Sequence, residues 1–294
     1  MSDFDGSEKP WLSTKDLREF FYSYAENFED VVLSRVFKDQ KWGFYIDAGA
    51  NDPEMHSVTK HFYDRGWSGV NIEPHRGFYG RLCRERPRDV NLNVGLADQE
   101  TTAPFFEEKS GTGISSLTPL FADWNIGREV EDRLIELTTL ARVCEQYAHR
   151  TIDFLKIDVE GVERPACEGG NWSKWRPRIV LIEANWPEYF DDWDRWFKDR
   201  DYLFAYFDRI NRFYVRVEDR DLIPTISMPF NSHDRAIPYQ VMRIIDQLER
   251  ELHDLKAIRS DLPKQAVPRE AATVSLLFRM KKMTRHLRSE NRSA

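Results

Sequence analysis

Four carboxylates each close a short apolar run: Asp47 after Phe44-Tyr-Ile, Glu73 after Gly69-Val-Asn-Ile, Asp158 after Phe154-Leu-Lys-Ile and Glu183 after Ile179-Val-Leu-Ile. An acid in that position stands at the edge where an open parallel sheet binds its ligand. Asp47 runs directly into Ala48-Gly49-Ala50, a tight turn, and Glu73 follows about twenty-five residues later. That pairing is how a doubly wound sheet holds a nucleoside, with a turn beneath the ligand and a carboxylate for the ribose hydroxyls. Asn51-Asp52-Pro53 stands where further glycines would let the backbone approach a pyrophosphate, so a cofactor without phosphates fits better than a dinucleotide. S-adenosylmethionine is such a cofactor.

The elements that must position these acids follow from periodicity. Leu17, Phe20, Phe21, Tyr24, Phe28, Val31, Val32 and Val36 recur at helical spacing and predict a helical lead-in over 14–38. Strands are expected over 44–47, 69–72, 90–96, 152–158 and 178–183, with helices over 55–65, 75–86 and 139–148 and a short one after 158. Phe105-Phe106 predicts a short outer strand, and the Gly, Ser and Thr of 109–118 a mobile loop. A helix over 186–198 leads to strands over 202–207 and 212–217, whose short link Asp208-Arg-Ile-Asn211 demands an antiparallel hairpin. Such alternation predicts an α/β fold with a Rossmann-like, doubly wound, mostly parallel sheet and an antiparallel last strand, the class I methyltransferase version of that architecture.

Val241, Ile245, Leu248, Leu252 and Leu255 follow a 4-3-4-3 spacing, which suits either a two-heptad coiled seam or an amphipathic helix packed on its own domain. Pro263 and Pro268 mark a linker. The last helix sets Leu276, Leu277, Met280, Met283 and Leu287 beside Arg279, Lys281, Lys282, Arg285 and Arg288. The expected organisation is a lead-in over 1–40, a catalytic domain over 41–235, a helix over 236–260, and a linker with a basic amphipathic helix over 261–294.

At 294 residues, with 41% hydrophobic and 13% aromatic side chains, the chain can bury a large core. Its three cysteines show no metal-ligand spacing and suggest reduced, buried thiols in a cytoplasmic protein. The polar, acidic start is unlike a signal peptide, and no apolar run approaches the roughly 18 residues of a membrane span. Residues 259–294 hold nine Lys/Arg against three Asp/Glu, a local +6, which leaves −13 on residues 1–258 within a net charge of −7. So acidic a body disfavours nucleic acid and favours an uncharged acceptor. The basic tail suits an anionic inner membrane face, a membrane-bound glycan-assembly partner such as a glycosyltransferase complex, or the protein's own homodimer.

Three further segments, Asn27-Phe-Glu-Asp-Val-Val-Leu33, Leu155-Lys-Ile-Asp-Val-Glu-Gly161 and Val180-Leu-Ile-Glu-Ala-Asn185, accompany Ile46-Asp-Ala-Gly-Ala-Asn51 and Ile72-Glu-Pro74 in a fixed order. In these strings the chain resembles the FkbM family of S-adenosylmethionine-dependent O-methyltransferases over about residues 24–215. The Lys-Ile-Asp-Val-Glu-Gly string is the most specific of them. Tyr206-Phe-Asp-Arg-Ile-Asn-Arg-Phe-Tyr214 is similar to the subgroup associated with bacterial polysaccharide assembly. Ala25-Glu26 departs from the Ser-Gln more usual in relatives, which bears on acceptor contacts and leaves the fold untouched.

The resemblance implies a sugar hydroxyl, in a surface glycan or its precursor, as methyl acceptor. For the cofactor, Asp47 and Gly49 would shape the turn under the methionine part, or form a plain strand-end turn. Asn51 and Ser57 would meet its amino and carboxylate groups, Glu73 the ribose diol, and Asp98 the adenine amino group unless it is a solvated loop acid. Asp158, Glu183 and Asn185 would suit Mg²⁺, which lowers the pKa of a bound hydroxyl. The alternative leaves Asp158 and Glu160 to hydrogen-bond the loop and Lys156, with Lys156 or His56 taking the proton. Glu29 and Asp30 face the sugar or the solvent, Trp186 stacks on the sugar or packs in the core, and His75 is expected at the surface.

Three other functions are open at this level. A nicotinamide-dependent oxidoreductase would use the same acid-ended strands, although the third glycine is missing. Methylation of a small lipid or polyketide hydroxyl is a second. A non-enzymatic scaffold tethered by seam and tail is a third, against which the intact acids at 47, 73 and 158 weigh.

Overall fold

The computed structural model describes residues 14–109, 115–118, 128–184 and 190–261. Among them, seven strands form the main sheet: β2 (Phe44–Ala48), β3 (Ser68–Ile72), β4 (Val90–Leu92), β8 (Phe154–Ile157), β9 (Ile179–Glu183), β10 (Tyr202–Phe207) and β11 (Asn211–Arg216). Their order is β10-β11-β9-β8-β2-β3-β4, parallel except that β11 runs antiparallel to both β9 and β10. Strands β2, β8 and β9 are apolar almost throughout because helices cover both faces, as expected of a parallel sheet centre.

Alternate residues feed two cores. Ile46, Ile72, Leu155, Ile157, Val180 and Ile182 pack with α5 (Leu140–Tyr147), α6 (Glu163–Glu168) and α7 (Phe190–Lys198) through Val143, Cys167, Trp193 and Phe197. Tyr45, Phe154, Leu181 and Phe213 pack on the opposite face with α2 (Glu29–Val36) and α3 (Lys60–Asp64) through Leu33, Phe37 and Phe62, and with Trp67.

The lead-in is not one helix. It breaks into α1 (Thr14–Leu17), β1 (Phe21–Ser23) and α2, because Phe28 adopts a left-handed φ of 64° and stacks on Phe230 at 3.9 Å. Strand β1 then pairs in parallel with β12 (Ala236–Pro238), an edge bond that local periodicity does not carry. The expected strand over 90–96 is likewise interrupted after Leu92. Its second half, β5 (Gly95–Leu96), joins a separate sheet of order β5-β7-β6 with the long hairpin β6 (Thr101–Glu108) and β7 (Val130–Thr138).

The chain divides into two compact units after Met242. The first holds all three sheets together with α4 (Arg76–Glu85) and α8 (Ile223–Ile226). Helix α9 (Tyr239–Asp261) runs on into the second, and Val241, Leu248, Leu252 and Leu255 along it are exposed. No helix of the described residues is long and apolar enough to cross a membrane. All three cysteines are free; Cys144 and Cys167 are buried, while Cys83 on α4 is exposed, contrary to expectation.

Candidate active site

A cavity of about 310 Å³ opens at the carboxyl ends of β2, β3 and β8. Its floor is the turn after β2. Gly49 takes a φ of +76°, and a Cβ there would stand 1.7 Å from the carbonyl oxygen of Asp158, so only glycine lets the two strand-end loops meet. Asp47 is buried beneath this turn, its Oδ2 accepting from the Thr59 hydroxyl at 2.8 Å.

Glu73 forms one wall of the cavity. Its two carboxylate oxygens accept the backbone N–H groups of Asn51 (2.6 Å) and His75 (2.7 Å), which fixes the carboxylate in the cavity. Burial raises its pKa to about 7 against the lowering effect of those donors. Pro74, Phe78, Leu96, Phe105 and Leu117 make an apolar part of the cavity lining. His75 is not on the surface: it is buried, caps α4 by accepting the N–H groups of Gly77 and Phe78, and joins the Glu108 carbonyl at 3.0 Å. The hairpin thereby walls this part of the cavity. Ser116 ties its far side to the 158–161 loop by donating to the Glu160 carbonyl at 2.7 Å.

Lys156 lies at the centre. Its ammonium donates to the Gly49 carbonyl at 2.8 Å and stands 3.2 Å from Asp158 and 3.6 Å from Asp47. Burial would lower its pKa, but Asp158 and Asp47 outweigh that and raise it, which favours the charged form of Lys156. Glu183, behind the cavity wall, hydrogen-bonds Asp158, and burial followed by the Asp158 charge raises its pKa strongly. Among the described residues no group of three or more His, Cys, Asp or Glu side chains is arranged to hold a metal. Lys156 supplies a cation at Asp158, and Asp158 and Glu183 hydrogen-bond each other. Asn185 and Trp186 lie outside the described residues.

The opposite end of the cavity is lined by Glu26, Glu29, His56, Glu160 and Asn211. His56 Nδ1 lies 3.4 Å from a Glu26 carboxylate oxygen, both side chains half-exposed at the mouth. That hydrogen bond raises the pKa of His56. Asn51 (φ 54°), His56 (φ 57°) and Glu160 (φ 56°) are non-glycine residues in the left-handed region, and all three line the cavity. Backbone strain held by surrounding structure is characteristic of functional sites.

Three expectations fail on geometry. Ser57 is buried away from the cavity, its hydroxyl accepting from Arg86 at 2.8 Å. Asp98 is exposed after β5 and does not line the cavity, because the chain leaves the main sheet before reaching it. Asp30 turns inward to accept from the Ser23 hydroxyl (2.6 Å) and the Tyr24 N–H (2.8 Å), so it ties α2 to β1. Sequence reasoning missed Arg86, whose fully buried guanidinium donates twice to the Pro53 carbonyl (3.0 and 2.6 Å) and holds the 51–57 loop in place. Its partner Asp89, at 3.7 Å, also accepts from Tyr45, Gly69 and Asn71. No local pattern announces such a long-range clasp.

The strand order, with β11 reversed beside β9, and a cavity at the carboxyl edge match a class I methyltransferase fold. Residues 47–204 match the profile of the methyltransferase FkbM domain, more than half the chain, and the protein belongs to that methyltransferase family. Among solved structures it is similar to a Pyrococcus horikoshii protein assigned provisionally as an RNA methyltransferase, with a TM-score of 0.37, 8% identity, and coverage of 68% of this chain and 95% of that one. No curated protein matches the chain.

Proposed function

We propose that the protein is an S-adenosylmethionine-dependent O-methyltransferase acting on a sugar hydroxyl of a bacterial surface polysaccharide or its precursor. The observation that carries the cofactor is the Glu73 carboxylate, fixed by two backbone N–H groups between the Gly49 turn and an apolar slot. A carboxylate so held keeps lone pairs for a ribose diol, and the slot suits a base without charge. When bound, S-adenosylmethionine supplies a methyl group made electrophilic by its sulfonium.

The acceptor end supports a hydroxyl rather than an apolar substrate, since carboxylates, an amide and an imidazole line it. His56 takes the hydroxyl proton as the oxygen attacks, and Glu26 orients the ring and stabilises the imidazolium. Lys156 holds the Gly49 and Asp158 loops in register instead of moving a proton. Alignment of the acceptor oxygen supplies much of the rate. Methylation thus proceeds on this chain's own base, and turnover is expected to survive chelation; loss on chelation with recovery on added Mg²⁺ would restore the metal reading.

The decisive experiment compares the host glycan with and without the protein by mass spectrometry, together with transfer of labelled methyl groups to that glycan by the purified protein. Loss of a methyl ether in the deletion and its restoration by the protein is the expected result. An unchanged glycan ends the sugar reading. The basic tail, outside the described residues, is proposed to bring the enzyme to an anionic membrane face or a glycan-assembly partner.

A further inference from the structure

Glu29, at the start of α2, is a buried carboxyl on the cavity wall that no cation of the described residues meets. It is 3% exposed and lines the acceptor end. Its oxygens accept from the Asn27 N–H and the Asn211 amide, both at 2.8 Å and both neutral donors. The largest charges acting on it are those of Asp208 and Asp30, of its own sign. Lys156 is the one Lys or Arg lining the cavity among the described residues, and Asp158, Asp47 and the Gly49 carbonyl already occupy it. A buried carboxyl without a countercharge holds its proton, and one that faces a cavity can ionise when a ligand brings the cation.

We infer, on the sugar-hydroxyl reading above, that the acceptor carries an ammonium group close to the hydroxyl that is methylated, and that acceptors with a phosphate or carboxylate in the pocket are rejected. An ammonium beside Glu29 gains a charge-assisted hydrogen bond and offsets the like charges of Asp208 and Asp30 that act on it. Burial, then Asp208, raises the Glu29 pKa to about 8, the direction expected of an acid whose partner is absent. An anion placed against Glu29 would meet the like charges of Glu29, Asp208 and Asp30, with Lys156 already held by Asp158 and Asp47 and His56 by Glu26, and like-charge juxtaposition is how a binding site excludes wrong partners. The neutral donors matter too, since Asn27 and Asn211 hold the carboxylate in position without satisfying its charge.

The test uses the full chain saturated with S-adenosylhomocysteine and three sets of probes: methyl glycosides of aminodeoxyhexoses, their N-acetylated counterparts, and hexose phosphates. Binding is read by calorimetry or ligand-observed NMR. At least one amine-bearing glycoside should bind about tenfold tighter than its N-acetylated form, as a hydrogen bond to a charged group implies, with no binding of the phosphates. Glu29→Gln should abolish the difference while retaining S-adenosylhomocysteine affinity, and Glu29→Asp should keep it. The inference is overturned if N-acetylated or phosphorylated probes bind as tightly, or if the preference survives Glu29→Gln. Should Glu29→Gln fail to fold, the wild-type comparison alone decides. Neutral glycosides binding without an amine advantage would sink only this inference. If no glycoside binds while S-adenosylhomocysteine does, the sugar reading falls with it.

Discussion

At the scale of single residues, the site turns on two carboxylates whose partners differ. Glu73 is held by backbone N–H groups, so its removal leaves the turn folded but strips the ribose contacts. Glu73→Ala is expected to weaken S-adenosylhomocysteine at least about tenfold, since each bond to a charged group is worth roughly 1.5–3 kcal/mol. The same group sets a pH dependence. With a pKa near 7 in the free protein, it must lose its proton to accept both hydroxyls, so affinity should fall as pH drops below about 7 and level off above it. Calorimetry from pH 5.5 to 8.5 measures this, and a flat profile removes Glu73 from the site. Glu26 instead acts on His56. His56→Asn should lower kcat by about 100-fold with S-adenosylhomocysteine affinity retained, in the range of general-base losses. Glu26→Gln removes the hydrogen bond that raises the His56 pKa, so the rising limb of the pH–rate profile should move to lower pH. An unmoved limb would disprove the pairing. Glu26 falls where the resemblance to the family departs from its usual residues, which marked the position as unusual but not as the partner of His56.

At the scale of elements, two loops carry the chemistry and each is fixed from a distance. The turn after β2 and the loop after β8 meet at Gly49, so Gly49→Ala must push the Asp158 carbonyl away and should abolish cofactor binding. The 51–57 loop is fixed by Arg86 at the end of α4. Removing that guanidinium leaves Asp89 buried without its countercharge, a change that typically costs 3–5 kcal/mol. Arg86→Ala should therefore lower unfolding free energy by about that much in a urea titration, and cofactor affinity should fall with it. If stability is unchanged, Arg86 is not the clasp proposed here. The β6–β7 hairpin is the element least visible in advance. Thr101–Glu108 and Val130–Thr138 alternate weakly and are mostly solvated on one face, so their burial pattern is faint until the pairing is known.

For the whole molecule, buried acids shape stability. Glu29 (pKa about 8) and Glu73 (about 7) keep protons that an unfolded chain releases near pH 4.5. Between those values the folded state binds more protons, so stability falls as pH rises. His61 works in the opposite sense below pH 6.5, because burial lowers its pKa to about 4 and folding then expels a proton. The decline should accordingly be clearest from pH 6.5 to 8, as a falling melting temperature of the free protein. Saturating S-adenosylhomocysteine, by drawing on ionised Glu73, should flatten it. A melting temperature that rises across that window contradicts the assignment. The basic tail is tested at the same scale by truncation after Pro268. Binding to anionic vesicles should fall while methylation of a soluble acceptor persists, whereas loss of a dimer with unchanged vesicle binding makes the tail an assembly element.

The sequence by itself determined the central strands, their acids and the antiparallel hairpin at residues 202–217, because each rests on local chemistry: unbroken apolar runs, a glycine turn and a link too short for a crossover. The placement of Gly49, Glu73, Lys156 and Asp158 at the cavity is legible for that reason, since a strand end fixes where its last residues stand. Tertiary structure alone decided the rest. Ser57 and Asp30 are polar residues whose partners, Arg86 and the 23–25 backbone, are fixed only when distant elements pack. Asp98 leaves the site because the chain changes sheets after Leu92, and Glu29 enters it because Phe28 reverses the backbone just before α2. Whether Lys156 gives up a proton or stays charged likewise depends on Asp47 and Asp158, which converge on it from different strands. Spacing can place a side chain on an element, but the charge it keeps depends on what the fold brings within a few ångströms of it.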